Sequence, residues 1–219
     1  LLTLGSLYET SQQDSANYYL QQGRLLAEKL QFLKGLYHYH NQKTILLYTV
    51  GDYKAALREA GSGLQLARQL KDSSKVIDML NNLGILSMYF GDFDAPLAYA
   101  IQVLNSVEAM QDSVKLAGAY LNLANSYHAL QQYQKAVSNA LYGIHVHHFS
   151  AYKYSYINRI YATLAQSYEG LRKMDSALHY YTIAIREAER ANDRYAEASI
   201  YGYKSNVHAY LKQFPAMLE

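Results

Sequence analysis

The sequence predicts an all-α solenoid of antiparallel helix pairs, and three observations carry that prediction. A short turn returns along the chain as Gly51-Asp52-Tyr53, Gly91-Asp92-Phe93, Gln131-Gln132-Tyr133, Arg172-Lys173-Met174 and Lys212-Gln213-Phe214. Its closing residues Tyr53, Phe93, Tyr133, Met174 and Phe214 lie 40, 40, 41 and 40 residues apart. Stepping back 40 from Tyr53 reaches Gln13, followed by Asp14-Ser15-Ala16 much as Met174 is followed by Asp175-Ser176-Ala177. A fixed period of this length marks a stack of like units.

The second observation is what occupies each register. Nine residues before the closing residue the side chain is small, as in Thr44, Gly84, Ala124, Ala165 and Ser205. Ten before it stand Leu83, Leu123 and Leu164, with Lys43 and Lys204 towards the ends. Three after it come Ala16, Ala56, Ala136 and Ala177, with Pro96 and Met217 as exceptions. A small residue beside a large one lets two helix backbones approach while the neighbour fills the remaining volume. The third observation is the helical period itself: Leu80, Leu83, Ser87, Phe90 and Tyr120, Leu123, Tyr127, Leu130 follow i, i+3, i+7, i+10, and no strand alternation competes.

Taken in order, the units run about 1–32, 33–71, 72–111, 112–150, 151–191 and 192–219, as one domain whose first and last members are incomplete. Turns are expected near 10–13, 33–36, 50–53, 71–73, 90–93, 110–113, 131–133, 148–151, 171–174, 191–193 and 212–214. Asp72, Asp112 and Asp193 at the junctions, and Asp94 and Asp175 within units, are placed to accept hydrogen bonds from unpaired helix N–H groups. Pro96 and Pro215 lie within the first turn of expected helices, where a missing N–H does no harm. The chain starts at Leu1 with a short stub of a first helix, and its last unit has little beyond one helix. Neither end carries the polar cap a solenoid needs, so the chain reads as part of a longer protein.

Asn82-Leu83-Gly84 through Gly91-Asp92-Phe93-Asp94-Ala95 resembles a tetratricopeptide repeat. So do Tyr120-Leu121-Asn122-Leu123-Ala124 through Ala136, and Tyr161-Ala162-Thr163-Leu164-Ala165 through Ala177. The family's usual repeat is about 34 residues, so the 40-residue form here lengthens the helices by roughly a turn and a half. This long form is similar to repeats of bacterial regulators, including peptide-sensing regulators and sensor histidine kinases. The resemblance implies a right-handed superhelix whose concave face is lined by the first helix of each unit. That face falls twelve, eight and five residues before the closing residue.

Candidate peptide-binding residues follow from that register. The central stripe is Asn81, Ile85 and Met88, then Leu121, Asn125 and His128, then Ala162, Gln166 and Glu169. Asn41, Ile45 and Tyr48 flank it on one side and Gly202, Asn206 and Ala209 on the other, with Asn82 and Asn122 one position away. Asparagine carries both a donor and an acceptor, so a column of them suits the backbone of an extended peptide whatever its sequence. Methionine and the aliphatics add adaptable apolar contacts. No lysine or arginine stands at the twelve-before positions Asn41, Asn81, Leu121, Ala162 and Gly202, which argues against a clamp for a partner's terminal carboxylate.

Composition narrows the function classes. The chain has 219 residues, no cysteine and a net charge of +2 without a lysine or arginine run, so disulfides, thiolate chemistry and a nucleic-acid surface are not expected. No stretch of 18 apolar residues exists, so no membrane insertion is expected from this segment. His145, His147 and His148 lack a matching carboxylate or cysteine, so no metal and no cofactor are expected. No nucleophile–base set or phosphate-cradling glycine loop appears, so the chain is not expected to be an enzyme. Most of the 24 tyrosines are expected to pack between helices, the remainder marking an interface. The charges from Arg186 to Glu197 read as a solvated helix face.

The expected partner is therefore a protein or peptide, and the expected role is the sensory or partner-binding region of a bacterial signalling protein. The alternative is an assembly scaffold, a homodimer or larger oligomer formed through its tyrosine-rich surface or open ends. The sequence leaves the compartment open between cytoplasm and periplasm.

Overall fold

Most of the described helices begin or end on a signal that the chain repeats. The computed structural model describes residues 13–150 and 156–213, and among these lie ten α-helices and no strand. They are α1 (Gln13–Lys29), α2 (Leu33–Thr49), α3 (Tyr53–Gln69), α4 (Ser73–Met88), α5 (Asp94–Met110), α6 (Ser113–Ala129), α7 (Tyr133–Phe149), α8 (Ile157–Gly170), α9 (Met174–Arg190) and α10 (Arg194–Gln213). Short turns link most successive helices, and the fold is that of a tetratricopeptide-type helical repeat.

The turns explain the period. Gln31, Gly51, Lys71, Gly91, Gln111, Gln131, Arg172 and Asn192 all hold a positive φ of 49–82°. They follow one another at 20 residues, except for the 41 between Gln131 and Arg172. The 40-residue unit is thus two nearly equal helices with nearly equal turns. Seven of these turns make both bonds of a Schellman motif. In the turn after α2, Gly51 N–H donates to Tyr48 O (3.1 Å) and Asp52 N–H donates to Leu47 O (2.9 Å). These bonds satisfy carbonyls that the helix end leaves open. The extra residue of the 41-residue step falls after Gly143 and before Ile157, since α8 keeps the register of α6 from Ile157 onward.

Aspartates start the helices, though not all at the expected places. Asp72 accepts from Lys75 N–H (3.2 Å), Asp112 from Val114 and Lys115 (3.1 and 3.0 Å), and Asp193 from Ala196 (3.0 Å), as the sequence indicates. Within units the capping side chains are Asp52, to Ala55 N–H, and Asp92, to Ala95 N–H, each at 3.0 Å. Asp94 and Asp175 stand in the first turn instead, where a carboxylate still meets the positive helix end. One turn is displaced: the chain reverses at residues 30–32, not 33–36. Gly35, which suggests that later turn, lies inside α2 as a point of close approach. A Cβ there would stand 2.6 Å from the Phe32 ring and 3.0 Å from Ala27 Cβ. The turns expected at 10–13, 148–151 and 212–214 lie partly, and Pro215 wholly, outside the described residues.

The helices gather into two compact units, Leu1–Ser106 and Val107–Glu219. In the first, Ala16, Leu20, Tyr39 and Leu46 form one buried cluster, and Leu80, Leu83 and Leu86 are buried along α4. In the second, Ala124, Ala140, Ile160, Leu164, Ala165, Tyr181 and Ala184 lie at the centre of a larger core. The small–large registers occupy these cores: Ala16, Ala56, Ala136 and Ala177 have no exposed surface, and Leu83, Leu123 and Leu164 are buried. Lys204, at an equivalent position near the end, turns its Nζ to Thr182 Oγ1 at 2.9 Å.

Candidate functional site

In the first unit, the first-helix face assembles an apolar depression. Thr44, Ile45 and Tyr48 from α2 and Asn82, Ile85 and Leu86 from α4 line a cavity of about 140 Å³. Ile85 leaves half of its surface exposed, and Met88 and Tyr48 are also open to solvent. Asn82 Nδ2 donates to Asn41 Oδ1 (3.4 Å), so the two asparagines join α2 to α4. Each amide retains further hydrogen-bonding capacity. Asn81 is half-buried beside them. An aromatic step closes one end: Tyr53 stacks on Tyr89 at 3.9 Å, and the Tyr48 and Tyr89 hydroxyls meet at 2.8 Å.

In the second unit, the corresponding face is polar and its cavity is larger. His128 from α6, Tyr133 from α7, Gln166, Glu169 and Gly170 from α8, Arg172 from the following turn, Tyr181 from α9 and Tyr203 from α10 surround a cavity of about 410 Å³. Gly170 is what admits the Tyr133 ring, because a Cβ there would stand 2.5–2.7 Å from it. The Tyr181 side chain is fully buried, and its hydroxyl donates to Glu169 Oε2 at 2.8 Å. Burial, and then the bond to Glu169, push the Tyr181 phenol far above its usual range, so it stays a donor. Burial lowers the His128 imidazole below its usual value and keeps it neutral at neutral pH. Its ring packs on Tyr133, and Nδ1 lies 3.4 Å from Ser167 Oγ.

The expected residues are thus distributed unevenly. Ile45, Tyr48, Asn82 and Ile85 meet in the first cavity, and His128, Gln166 and Glu169 in the second. Asn125 is exposed and accepts from Thr163 Oγ1 at 2.7 Å, while Asn122 is half-buried and Asn206 exposed, outside either cavity. Leu121 is a correction. It is 5% exposed and belongs to the second unit's core, because a leucine at this register gains more by being covered than the asparagines at Asn41 and Asn81 would. Tyr133, Gly170, Arg172, Tyr181 and Tyr203 line the second cavity without having been singled out. The one available signal was Tyr133, a closing residue of the repeat, together with a glycine four residues before the next one. Tyr181 lies on a second helix, and reading only first helices misses it.

The histidine cluster lies on largely exposed surface, with His145 and His148 exposed. His145 stacks near Phe149 with ring centroids 4.6 Å apart, and His148 Nε2 lies 3.3 Å from the Tyr161 hydroxyl. Among the described residues no group of three His, Cys, Asp or Glu side chains stands ready to hold a metal ion. Among the same residues no helix is long and apolar enough to cross a membrane. Arg190 pairs with Glu187 (2.6 Å) and Arg194 with Glu197 (3.1 Å) on exposed surface, as the charge spacing indicates. Among the described tyrosines Tyr37, Tyr39, Tyr161 and Tyr181 are buried, whereas Tyr142 and Tyr195 project into solvent. Tyr152 and Tyr154 lie outside the described residues.

The helix pairs, their Schellman turns and the small–large registers define a tetratricopeptide-type repeat fold. No protein-family profile and no curated protein matches the chain. Solved structures do. A STAND signal-transduction ATPase with a tetratricopeptide repeat sensor from Pyrococcus horikoshii is similar over 98% of this chain and 36% of its own, at 20% identity and a TM-score of 0.72. The apo form of RapI matches 95% of this chain and 81% of its own, at 13% identity and a TM-score of 0.78. A Rap protein complexed with competence and sporulation factor matches 95% and 62%, at 17% identity and a TM-score of 0.62. The chain thus spans about a third of the STAND protein's length. At these identities the likeness is one of fold.

Proposed function

We propose that the chain is a protein- or peptide-binding module, the sensory or partner-binding region of a bacterial signalling protein, and not an enzyme. The observation that carries this reading is the α2–α4 face, where Tyr48, Ile85 and Met88 stay exposed around a cavity beside a pair of asparagines. Apolar side chains gathered around a concavity with a few polar groups are suited to an extended partner, anchored by its side chains and oriented through its backbone. Support also comes from the similar structures, one a repeat sensor within a signalling ATPase and one a Rap protein in complex with competence and sporulation factor.

The test is selection of random peptides on the intact chain by display. Ile85→Asp puts a charge in the cavity at a half-exposed position that the fold tolerates. Selected peptides are expected to bind this variant at least about tenfold more weakly. Enrichment of nothing, combined with a concentration-dependent dimer in sedimentation, would instead favour the scaffold reading. The exposed tyrosines Tyr142 and Tyr195 are the surface that reading needs.

A further inference from the structure

The second cavity has a chemistry that the first lacks. Glu169 presents a carboxylate into it, held from behind by the hydroxyl of the buried Tyr181. Among the described residues no other side-chain hydrogen bond or ion pair engages that carboxylate, so Oε1 is available. The rings of Tyr133 and Tyr203 form walls, Tyr181 lies buried behind Glu169, and Gln166 adds an amide. Glu169 also lies in the last turn of α8, where the helix carbonyls lend partial negative charge. Among the described lining residues only Arg172 carries a fixed positive charge, and its guanidinium lies over the Tyr210 ring, 5.2 Å from the centroid.

We infer that this cavity receives the ammonium or guanidinium group of a lysine or arginine side chain on the bound partner. An ionised carboxylate makes charge-assisted hydrogen bonds to such a group, bidentate for arginine. Tyrosine faces attract the same cation through their quadrupole, more strongly once it leaves water. The neutral state of His128 leaves no second cation to oppose it. The inference rests on the peptide-binding reading and names the side chain that the second unit selects.

The experiment uses the peptides selected on the intact chain. Lysine or arginine is expected at one fixed position, and replacing that arginine by citrulline, which removes the charge and keeps the shape, is expected to weaken binding about tenfold or more. Glu169→Gln, which keeps an acceptor for Tyr181, is expected to weaken the arginine peptide to the same degree and leave the citrulline peptide unchanged. Selected peptides with no cation preference, or equal binding of arginine and citrulline forms, would overturn the inference and leave the peptide-binding reading standing. If no peptide is selected, that reading falls, and NMR titration with N-acetyl-arginine amide against N-acetyl-citrulline amide decides the cavity alone. Saturable shifts around Gln166 and Gly170 from the arginine compound only would support the inference, and their absence would end it.

Discussion

Tyr181 shows how one side chain serves both core and site. Its ring is fully buried among the second unit's apolar residues, and its hydroxyl emerges only far enough to hold Glu169. A hydrogen bond to a charged group contributes about 1.5–3 kcal/mol when removed, and partial exposure of Glu169 argues for the lower part of that range. Tyr181→Phe is therefore expected to cost about 1–2 kcal/mol in urea unfolding, with the fold unchanged by circular dichroism. A cost close to zero would mean that Glu169 finds water as readily as the phenol. Asn41 and Asn82 make a different point: reading asparagine as a partner-facing residue did not anticipate that two of them, 41 positions apart, bond to each other.

At the scale of the helix, the turn governs. Among the described residues eight left-handed positions punctuate the chain, and only Gly51 and Gly91 of these are glycines. An L-residue with a Cβ pays roughly 1–2 kcal/mol in that region, partly offset because glycine is freer when unfolded. Gln131 is exposed at φ 56° and has the same pair of Schellman bonds as Gly51. Gln131→Gly is expected to stabilise by about 0.5–1 kcal/mol, and Gly51→Ala to destabilise by a similar amount. Both are read as shifts in the denaturant midpoint at unchanged slope. A loss of stability in Gln131→Gly would show that its side chain, not its backbone, holds that turn.

At the scale of the molecule, packing within each compact unit is local along the chain, as α2 rests mainly on α1 and α3, and α9 on α8 and α10. Repeat folds of this kind sum unit and neighbour terms. Leu164→Ala removes a fully buried side chain and is expected to cost about 2–5 kcal/mol. Hydrogen exchange should then quicken in α8 and α9, while the amides of α2 and α3 keep their wild-type protection. Equal acceleration in all of them would mean that the molecule opens as a single cooperative body.

The repeat was legible in the sequence because packing demands a small residue beside a large one at every helix crossing, and Ala16, Ala56, Ala136 and Ala177 meet that demand at fixed intervals. The caps were nearly legible: an aspartate beside a turn is visible, but whether Asp92 or Asp94 accepts the N–H depends on where the turn closes, which is a matter of φ and ψ. The 20-residue period was hidden, since Gln, Lys, Arg and Asn share the left-handed position with glycine and only backbone geometry reveals them as equivalent. Half of the candidate site followed from register along the first helices. The other half is tertiary, because Tyr133 can cover Gly170, and Tyr181 can reach Glu169, only after helices distant in sequence have packed. Periodicity assigns a residue to a face, and the neighbouring helix then decides whether that face is a wall, as for Glu169, or the core, as for Leu121.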